Sequence, residues 1–438
     1  MPFDASRQLR PRIAVIGGGI SGLSAAWQLA GFAQVTVYES EPRLGGHART
    51  VIAGRRGDQP VDTGFIVFNY ANYPHLTRLF RDLDVPVEKS CMSFGASIDD
   101  GRIEYGLQGL SALFAQKKNI VDPGFLGMVR DILRFNARAE AAAVSDDMTI
   151  DDLVTELRLG DRFRRHYLMP MCGAIWSTPA EEVGAFPAKT LVRFFRNHAL
   201  MNTTGQHQWW TVTGGSIEYV RRLEAALTAK GVTIRTGCPV ESVRREATGV
   251  TIRTRDGAEP AVDHVILATH PDVSLRLLAD PSREERQTLG AIRYQDNRVV
   301  LHRDPRQMPR HRACWSSWVY QADTAPDATG TGAAGVGVSY WMNRLQNIPE
   351  DDPLFITLNP RRPVDPAAIY DEVTFRHPVF DRAALQAQGR MAGLQGARNT
   401  WFAGAWNRNG FHEDGIASAV RVTRELARRQ TESRQAAA

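Results

Sequence analysis

The chain has 438 residues, 43% of them hydrophobic and 23% charged, enough to bury one large or two medium cores and unlike a disordered composition; its net charge of +5 is dispersed, so nucleic acid is not an expected partner. No run of eighteen apolar residues exists and the first twelve residues carry no apolar signal region, which argues against a membrane-spanning or secreted protein and for a cytoplasmic one. Cys91, Cys172, Cys238 and Cys314 are scattered without a C-x-x-C pair or clustered histidines, so reduced thiols and no metal are expected.

The apolar run Ile13-Ala14-Val15-Ile16 reads as a strand, the turn Gly17-Gly18-Gly19-Ile20-Ser21-Gly22 follows, and residues 23–30 read as a helix. A second apolar run, Val35-Thr36-Val37-Tyr38, ends at Glu39, twenty residues after Gly19. This is a dinucleotide-binding fingerprint. Gly17 permits the tight turn, Gly19 leaves room for a pyrophosphate, and Gly22 allows close helix–sheet packing. The phosphates would sit at the helix N-terminus beside Ser21, and Glu39, with Ser40 next to it, would accept from a ribose.

Beyond the fingerprint come Pro42-Arg43-Leu44-Gly45-Gly46-His47-Ala48-Arg49-Thr50 and Val61-Asp62-Thr63-Gly64-Phe65. These runs resemble the N-terminal signature of the amine oxidase and phytoene desaturase superfamily of FAD enzymes. The resemblance implies that Arg43 meets the pyrophosphate and that Gly45, Gly46 and His47 let backbone approach the ribityl chain. Thr63, Gly64 and Phe65 then lie beside the cofactor. It also implies an α/β fold: a discontinuous Rossmann-like FAD-binding domain (residues 1–71, 212–278 and 397–438) with an inserted α+β substrate domain (72–211 and 279–396).

Along the first insertion Leu76, Leu79, Phe80 and Leu83 recur at helical spacing, and the segment is expected to be mostly helical. Residues 125–138 place Arg130, Arg134 and Arg138 near one helix face beside apolar residues, and residues 191–200 are also basic and apolar. That face reads first as a solvated helix side and second as a peripheral contact with an anionic inner-membrane surface. Residues 213–216 open a helix reaching Leu227; residues 250–252 and 262–268 look like strands around the turn Asp256-Gly257. In the superfamily the Val240 position contacts adenine, and Ala268 ends the second strand leading to the cofactor. The second insertion carries strands near residues 298–302, 313–320 and 336–342, separated by a Gly/Ala-rich loop at 323–335, and an aromatic-rich antiparallel sheet is expected there.

Near the C-terminus, Trp401-Phe402-Ala403-Gly404-Ala405-Trp406 reads as a buried strand, and Gly410-Phe411-His412-Glu413-Asp414-Gly415-Ile416-Ala417-Ser418 leads into a helix. The resemblance places Gly404, Gly415 and Ile416 against the flavin. Where many members carry an acid after the strand glycine this chain has Ala405, which leaves Asp414 as a candidate substitute.

Nearly the whole chain is similar to a narrower group, bacterial flavin-containing oxidoreductases often encoded beside cyclopropane fatty-acid synthase-like methyltransferases. The similarity rests on Asp62 to Asn69, Met92-Ser93-Phe94, Ala174-Ile175-Trp176-Ser177-Thr178-Pro179, Ser339-Tyr340-Trp341-Met342-Asn343, and the C-terminal motifs. It implies FAD, held non-covalently, and desaturation of methyl-branched or cyclopropane-type acyl chains of lipids, with a methyltransferase as a further partner. His412 and Glu413, with Asn69 and Tyr70, are the candidate proton-handling or orienting groups. Trp176, Phe194, Trp315, Trp318, Tyr340 and Trp341 are candidates for lining an apolar substrate cavity, although they could equally form the core of the sheet. Three alternatives stay open: a flavin amine oxidase, a NAD(P)H-dependent reductase of methylene-branched lipid, and a non-catalytic flavoprotein subunit. Against the amine oxidase stands residues 297–301, a strand without the lysine many members carry.

Overall fold

Apolar residues on both faces of a short strand demand a covered, parallel sheet, and five such strands form one. The computed structural model describes residues 10–145, 147–176, 183–198, 200–201, 205–247, 249–322 and 336–437. Arg12–Ile16 lies at the centre, and the order across the sheet is Thr233–Arg235, Gln34–Tyr38, Arg12–Ile16, His264–Leu267, Thr400–Phe402, all parallel. Alternation divides the side chains: Ile13, Val15, Val35 and Val37 face one core, while Ala14, Ile16, Val265 and Leu267 face another. The first core is closed by the helix Ile20–Leu29 and the C-terminal helix His412–Ala437.

Two expectations need correction. Residues 262–268 pair with residues 250–252 only through the antiparallel bridge Val250–Val262: His264–Leu267 joins the parallel sheet, whereas Gly249–Thr254 pairs antiparallel with Val240–Glu246 and Gly257–Ala258. The helix Pro74–Asp82 buries Leu76, Leu79 and Phe80 in the same core as the helix Ile20–Leu29, not among the helices of the first insertion. That insertion is also not purely helical. Val67–Asn69, Val87–Ser90 and Trp209–Val212 form a three-stranded sheet across its edges.

The larger sheet has seven strands in the order Ile369–Pro378, Tyr294–His302, Phe355–Leu358, Val336–Trp341, Trp318–Ala322, Phe94–Ile98, Ile103–Gly106. It is mixed rather than antiparallel, because Trp318–Ala322 runs parallel to Phe94–Ile98. The expected loop at 323–335 lies outside the described residues. Helices Pro123–Ala142, Ile150–Glu156 and Ala188–Asn197 enclose a separate core around Phe125, Phe135, Phe163 and Phe195. No helix among the described residues is long and apolar enough to cross a membrane.

One buried carboxylate connects the parts. Asp62 is fully buried and accepts from Ser216 N at 2.8 Å, Ser216 Oγ at 2.7 Å, Thr50 Oγ1 at 2.6 Å and Gln346 Nε2 at 3.0 Å. Its own N–H donates to Gln346 Oε1 at 2.8 Å. Burial outweighs these donors and raises its pKa to about 6. Asp62→Ala leaves several buried donors without a partner and is expected to cost about 3 kcal/mol or more, read as a drop in the urea midpoint; an unchanged midpoint would remove Asp62 from this role.

Candidate functional site

The turn after the first strand contains two kinds of glycine. Gly17 has φ +111°, and a Cβ there would lie 2.7 Å from the Ala268 carbonyl oxygen; at Gly22 it would lie 1.9 Å from the Gly17 oxygen. Both positions are fixed by the protein's own packing. At Gly19 the nearest atom to an added Cβ is Gly46 Cα at 3.9 Å, so nothing in the protein requires glycine there. Gly46, with φ +57°, faces it from the adjoining loop, which Gly45 N anchors to Gly18 O at 2.9 Å. The helix beginning at Ile20 has no side-chain cap and no acid in its first turn. Bare backbone on two sides and an uncapped helix start suit a pyrophosphate, so these residues fit a dinucleotide.

Glu39 is already engaged. Its carboxylate accepts from Gly18 N at 2.6 Å, Glu41 N at 2.9 Å and Ser40 Oγ at 3.1 Å, which ties the glycine turn to the second strand and holds the acid in position for a ribose. Cys238 N donates to Glu39 O at 2.8 Å, bringing the start of Val240–Glu246 alongside. Arg43 folds back on its own loop, donating to Gly46 O at 3.1 Å and pairing with Glu41 at 3.0 Å. The loop continues to Gly64, where a Cβ would lie 2.1 Å from His47 O; Thr63 Oγ1 donates to Arg49 O at 3.2 Å.

Beyond His47 the surroundings become aromatic. His47 stacks on Phe375 at 4.7 Å, with His377 at 5.7 Å and His270 at 6.0 Å; His270 stacks on Tyr294 at 4.1 Å. Phe65 stacks on His412 at 3.9 Å, and Tyr219 Oη lies 2.8 Å from His412 Nε2. Burial lowers the pKa of His47, and brings those of His270, His377 and His412 to about 3, with neighbouring imidazoles adding to the effect. The rings are neutral at physiological pH.

The proposed proton-handling residues fare differently. His412 is brought to the site, but a histidine with so low a pKa is a poor base near neutrality, and its ring is held between Phe65 and Tyr219. Glu413 turns away: its oxygens accept from His75 N at 3.0 Å and Leu76 N at 2.9 Å, capping the helix Pro74–Asp82, whose own first residues offer no side-chain cap. Asp414 accepts from Phe411 N at 3.0 Å and closes the start of its own helix. Asn69 is buried and its Oδ1 accepts from Asn72 N at 2.8 Å, while Tyr70 is 51% exposed, edge-on to Trp210. Gly404 N donates to Ser418 Oγ at 3.1 Å; Gly415 lies against Ser21, 2.8 Å from its Oγ for an added Cβ, and Ile416 is buried in the adjoining core.

The six candidate lining residues do not share one cavity. Adjacent strand residues point to opposite faces, so Tyr340 packs with Trp318 at 5.1 Å while Trp341 packs with Trp315 at 5.4 Å on the other side, in a separate cluster with Phe355. Phe194 stacks on His198 and on Phe411, the residue before His412. The helix Met169–Trp176 packs on the strand Trp318–Ala322, but the Trp176 side chain and residues 177–179 lie outside the described residues.

Sequence reasoning missed Asn297, His270, His377 and Tyr219. Asn297 is fully buried on the strand noted for lacking lysine. Its Oδ1 accepts from Asn359 Nδ2 at 2.8 Å and Gln295 Nε2 at 3.3 Å, which turns its amide nitrogen to His377 Nδ1 at 3.2 Å. As Nδ1 accepts there, the His377 proton resides on Nε2. Asn297 and Phe375 are register partners, so the period-2 pattern of two strands was the available signal.

Two measurements test this geometry. Gly19→Ala should fold with an unchanged thermal midpoint yet bind FAD at least roughly tenfold more weakly, whereas Gly22→Ala should lower the midpoint itself, by steric overlap. Equal loss of stability in both variants would contradict the assignment. The second concerns acid. The folded pKa of about 3 at His412 lies below the unfolded 6.5, so its contribution is fully present above pH 6.5 and is lost as pH falls towards 3. Glu413 and Asp414, raised to about 7 and about 6, act oppositely, losing stability as pH rises through those values. His412→Gln should therefore flatten the acid-side fall of the urea midpoint; an unaltered slope would deny that the imidazole is held neutral.

The family model described as flavin containing amine oxidoreductase matches residues 20–343. No curated protein matches the chain in sequence. Among solved structures, the chain is similar to a CLA-producing fatty acid isomerase from P. acnes, at 17% identity and a TM-score of 0.65, covering 94% of this chain and 98% of that one. A putrescine oxidase variant matches at 15% identity and a TM-score of 0.67 (96% and 99% covered), and a reduced UDP-galactopyranose mutase at 16% and 0.67 (96% and 94%). At these identities the likeness concerns the fold.

Proposed function

The chain belongs to the flavin containing amine oxidoreductase family and is a flavin-dependent oxidoreductase; from that premise we propose that it dehydrogenates fatty-acyl chains of the methyl-branched or cyclopropane type, with FAD held non-covalently. The observation that carries the proposal is the half-buried cluster of neutral rings beyond the cofactor loop. His47, His270, His377 and His412 are neutral there, with Phe65, Phe375 and Tyr294 between them. Such a surface suits an apolar chain, and the carboxylate beside it, Asp272, is already paired with Arg376 at 2.8 Å rather than offered to a protonated amine. On Tyr294–His302 the neutral Asn297 holds His377, and no lysine is present.

FAD, when bound, supplies the acceptor for a hydride from an acyl carbon, the second hydrogen leaving as a proton. The chain's residues exclude water and orient. The stack of Phe65 on His412, fixed by Tyr219, gives a rigid wall, and the Asn297–His377 pair presents an imidazole whose Nε2 carries the proton. The P. acnes protein is a fatty acid isomerase, so this fold takes a fatty acid in that protein; the methyltransferase that installs a branch would be the supplying partner here.

Anaerobic mixing decides between the readings. Branched free fatty acid or phospholipid should bleach the yellow protein and yield product two mass units lighter, while simple amines should not. Bleaching by amines alone would reject the proposal, and rapid reduction by NAD(P)H with lipids inert would reverse the direction to a lipid reductase. Acid denaturation should release the flavin to the supernatant; flavin kept on the precipitate would contradict non-covalent binding.

A further inference from the structure

Exposed large apolar side chains are concentrated in one stretch of the chain. Among the described residues nine stand out, and six of them, Leu107, Leu110, Ile120, Val121, Leu126 and Leu133, fall within 27 consecutive residues. Leu110 and Val121 are 75% and 80% exposed. They lie on two short helical turns, Leu110–Leu113 and Lys117–Ile120, and on the first half of the helix Pro123–Ala142. That helix buries Phe125, Met128, Phe135 and Ala139 in the helical core, which leaves Leu126, Arg130 and Leu133, spaced i, i+4, i+7, on its outer side.

The charges along this stretch are mostly basic. Residues 107–139 hold five basic residues, Lys117, Lys118, Arg130, Arg134 and Arg138, and two acids. Both acids are already paired: Asp122 caps the helix and bonds Arg162 at 2.7 Å, and the buried Asp131 meets Arg130 at 3.3 Å. Lys117 and Lys118 occupy the same turn as Ile120, immediately before the exposed Val121. Apolar tips ringed by cations match the boundary between anionic headgroups and acyl chains. A second copy of the same face would set lysines against lysines, and nucleic acid offers nothing for six aliphatic side chains.

We propose that residues 107–133 form a docking surface for an anionic lipid bilayer, with Leu110, Ile120, Val121, Leu126 and Leu133 entering the headgroup region and Lys117 and Lys118 resting on lipid phosphates. The surface is independent of which substrate the flavin site takes.

The full-length, FAD-loaded protein is sedimented with phosphatidylcholine vesicles, with and without phosphatidylglycerol. Binding is expected to the phosphatidylglycerol vesicles and to fall with salt. Lys117→Ala with Lys118→Ala should weaken it roughly thirtyfold, on the usual fivefold or so per basic residue at such a surface. Leu110→Ser with Val121→Ser should weaken it at least roughly tenfold. Both variants change only exposed side chains and should keep flavin content and thermal midpoint. Failure of the wild type to sediment with anionic vesicles overturns the proposal, as does equal binding to pure phosphatidylcholine that the lysine changes leave intact. So does a Leu110/Val121 variant that turns a wild-type dimer into a monomer while vesicle binding stays the same.

Discussion

A carboxylate sealed from water is costly unless every lone pair finds a donor, and Asp62 meets that requirement with a donor from its own hairpin and others from two distant parts of the chain. Thr50 belongs to the hairpin behind the cofactor loop, Ser216 starts the helix Ile217–Ala229, and Gln346 follows the strand Val336–Trp341 of the mixed sheet. The positions of the Gly45–His47 loop, the helix bearing Tyr219 and the substrate-side sheet are thereby referred to one another. The hydroxyl of Tyr219 reaches His412 only because its helix begins where Asp62 holds it.

Around the ring cluster, electrostatics and packing act in the same direction. Each buried imidazole raises the cost of charging the next, so neutrality is a property of the group and not of any one histidine. Glu413 and Asp414 are consumed by helix starts and backbone N–H groups, and Asp272, the carboxylate beside His270 and Tyr294, is paired with Arg376 at 2.8 Å. What remains is a cluster of neutral rings bordered by the Arg376–Asp272 ion pair, with directed polar contacts such as Asn297 to His377.

The nucleotide end was legible because its chemistry is local. Gly17, Gly19, Gly22 and Glu39 act within one strand–turn–helix–strand unit, and the turn dictates which residues it tolerates. The catalytic side was much less so. Glu413 has the residue type and position of an acid or base, but the helix N-terminus that occupies it comes from more than three hundred residues away. Trp341 was grouped with Tyr340 because aromatic content alone does not record which face of a strand a residue takes. Asn297 carried no motif, and its importance depends on Phe375 and His377 arriving on the neighbouring strand.

The contact of Gly415 with Ser21 has a consequence for the order of events during biosynthesis. The glycine-rich turn is synthesised before the helix that presses against it at Gly415 and before the edge strand Thr400–Phe402 that finishes the sheet. Until they arrive, one wall of the nucleotide cradle is missing and the apolar face of the helix Ile20–Leu29 lacks its cover. The cradle is therefore closed by residues nearly four hundred positions away from its own motif, so a chain lacking the helix from His412 would keep the motif in sequence but leave it open to solvent.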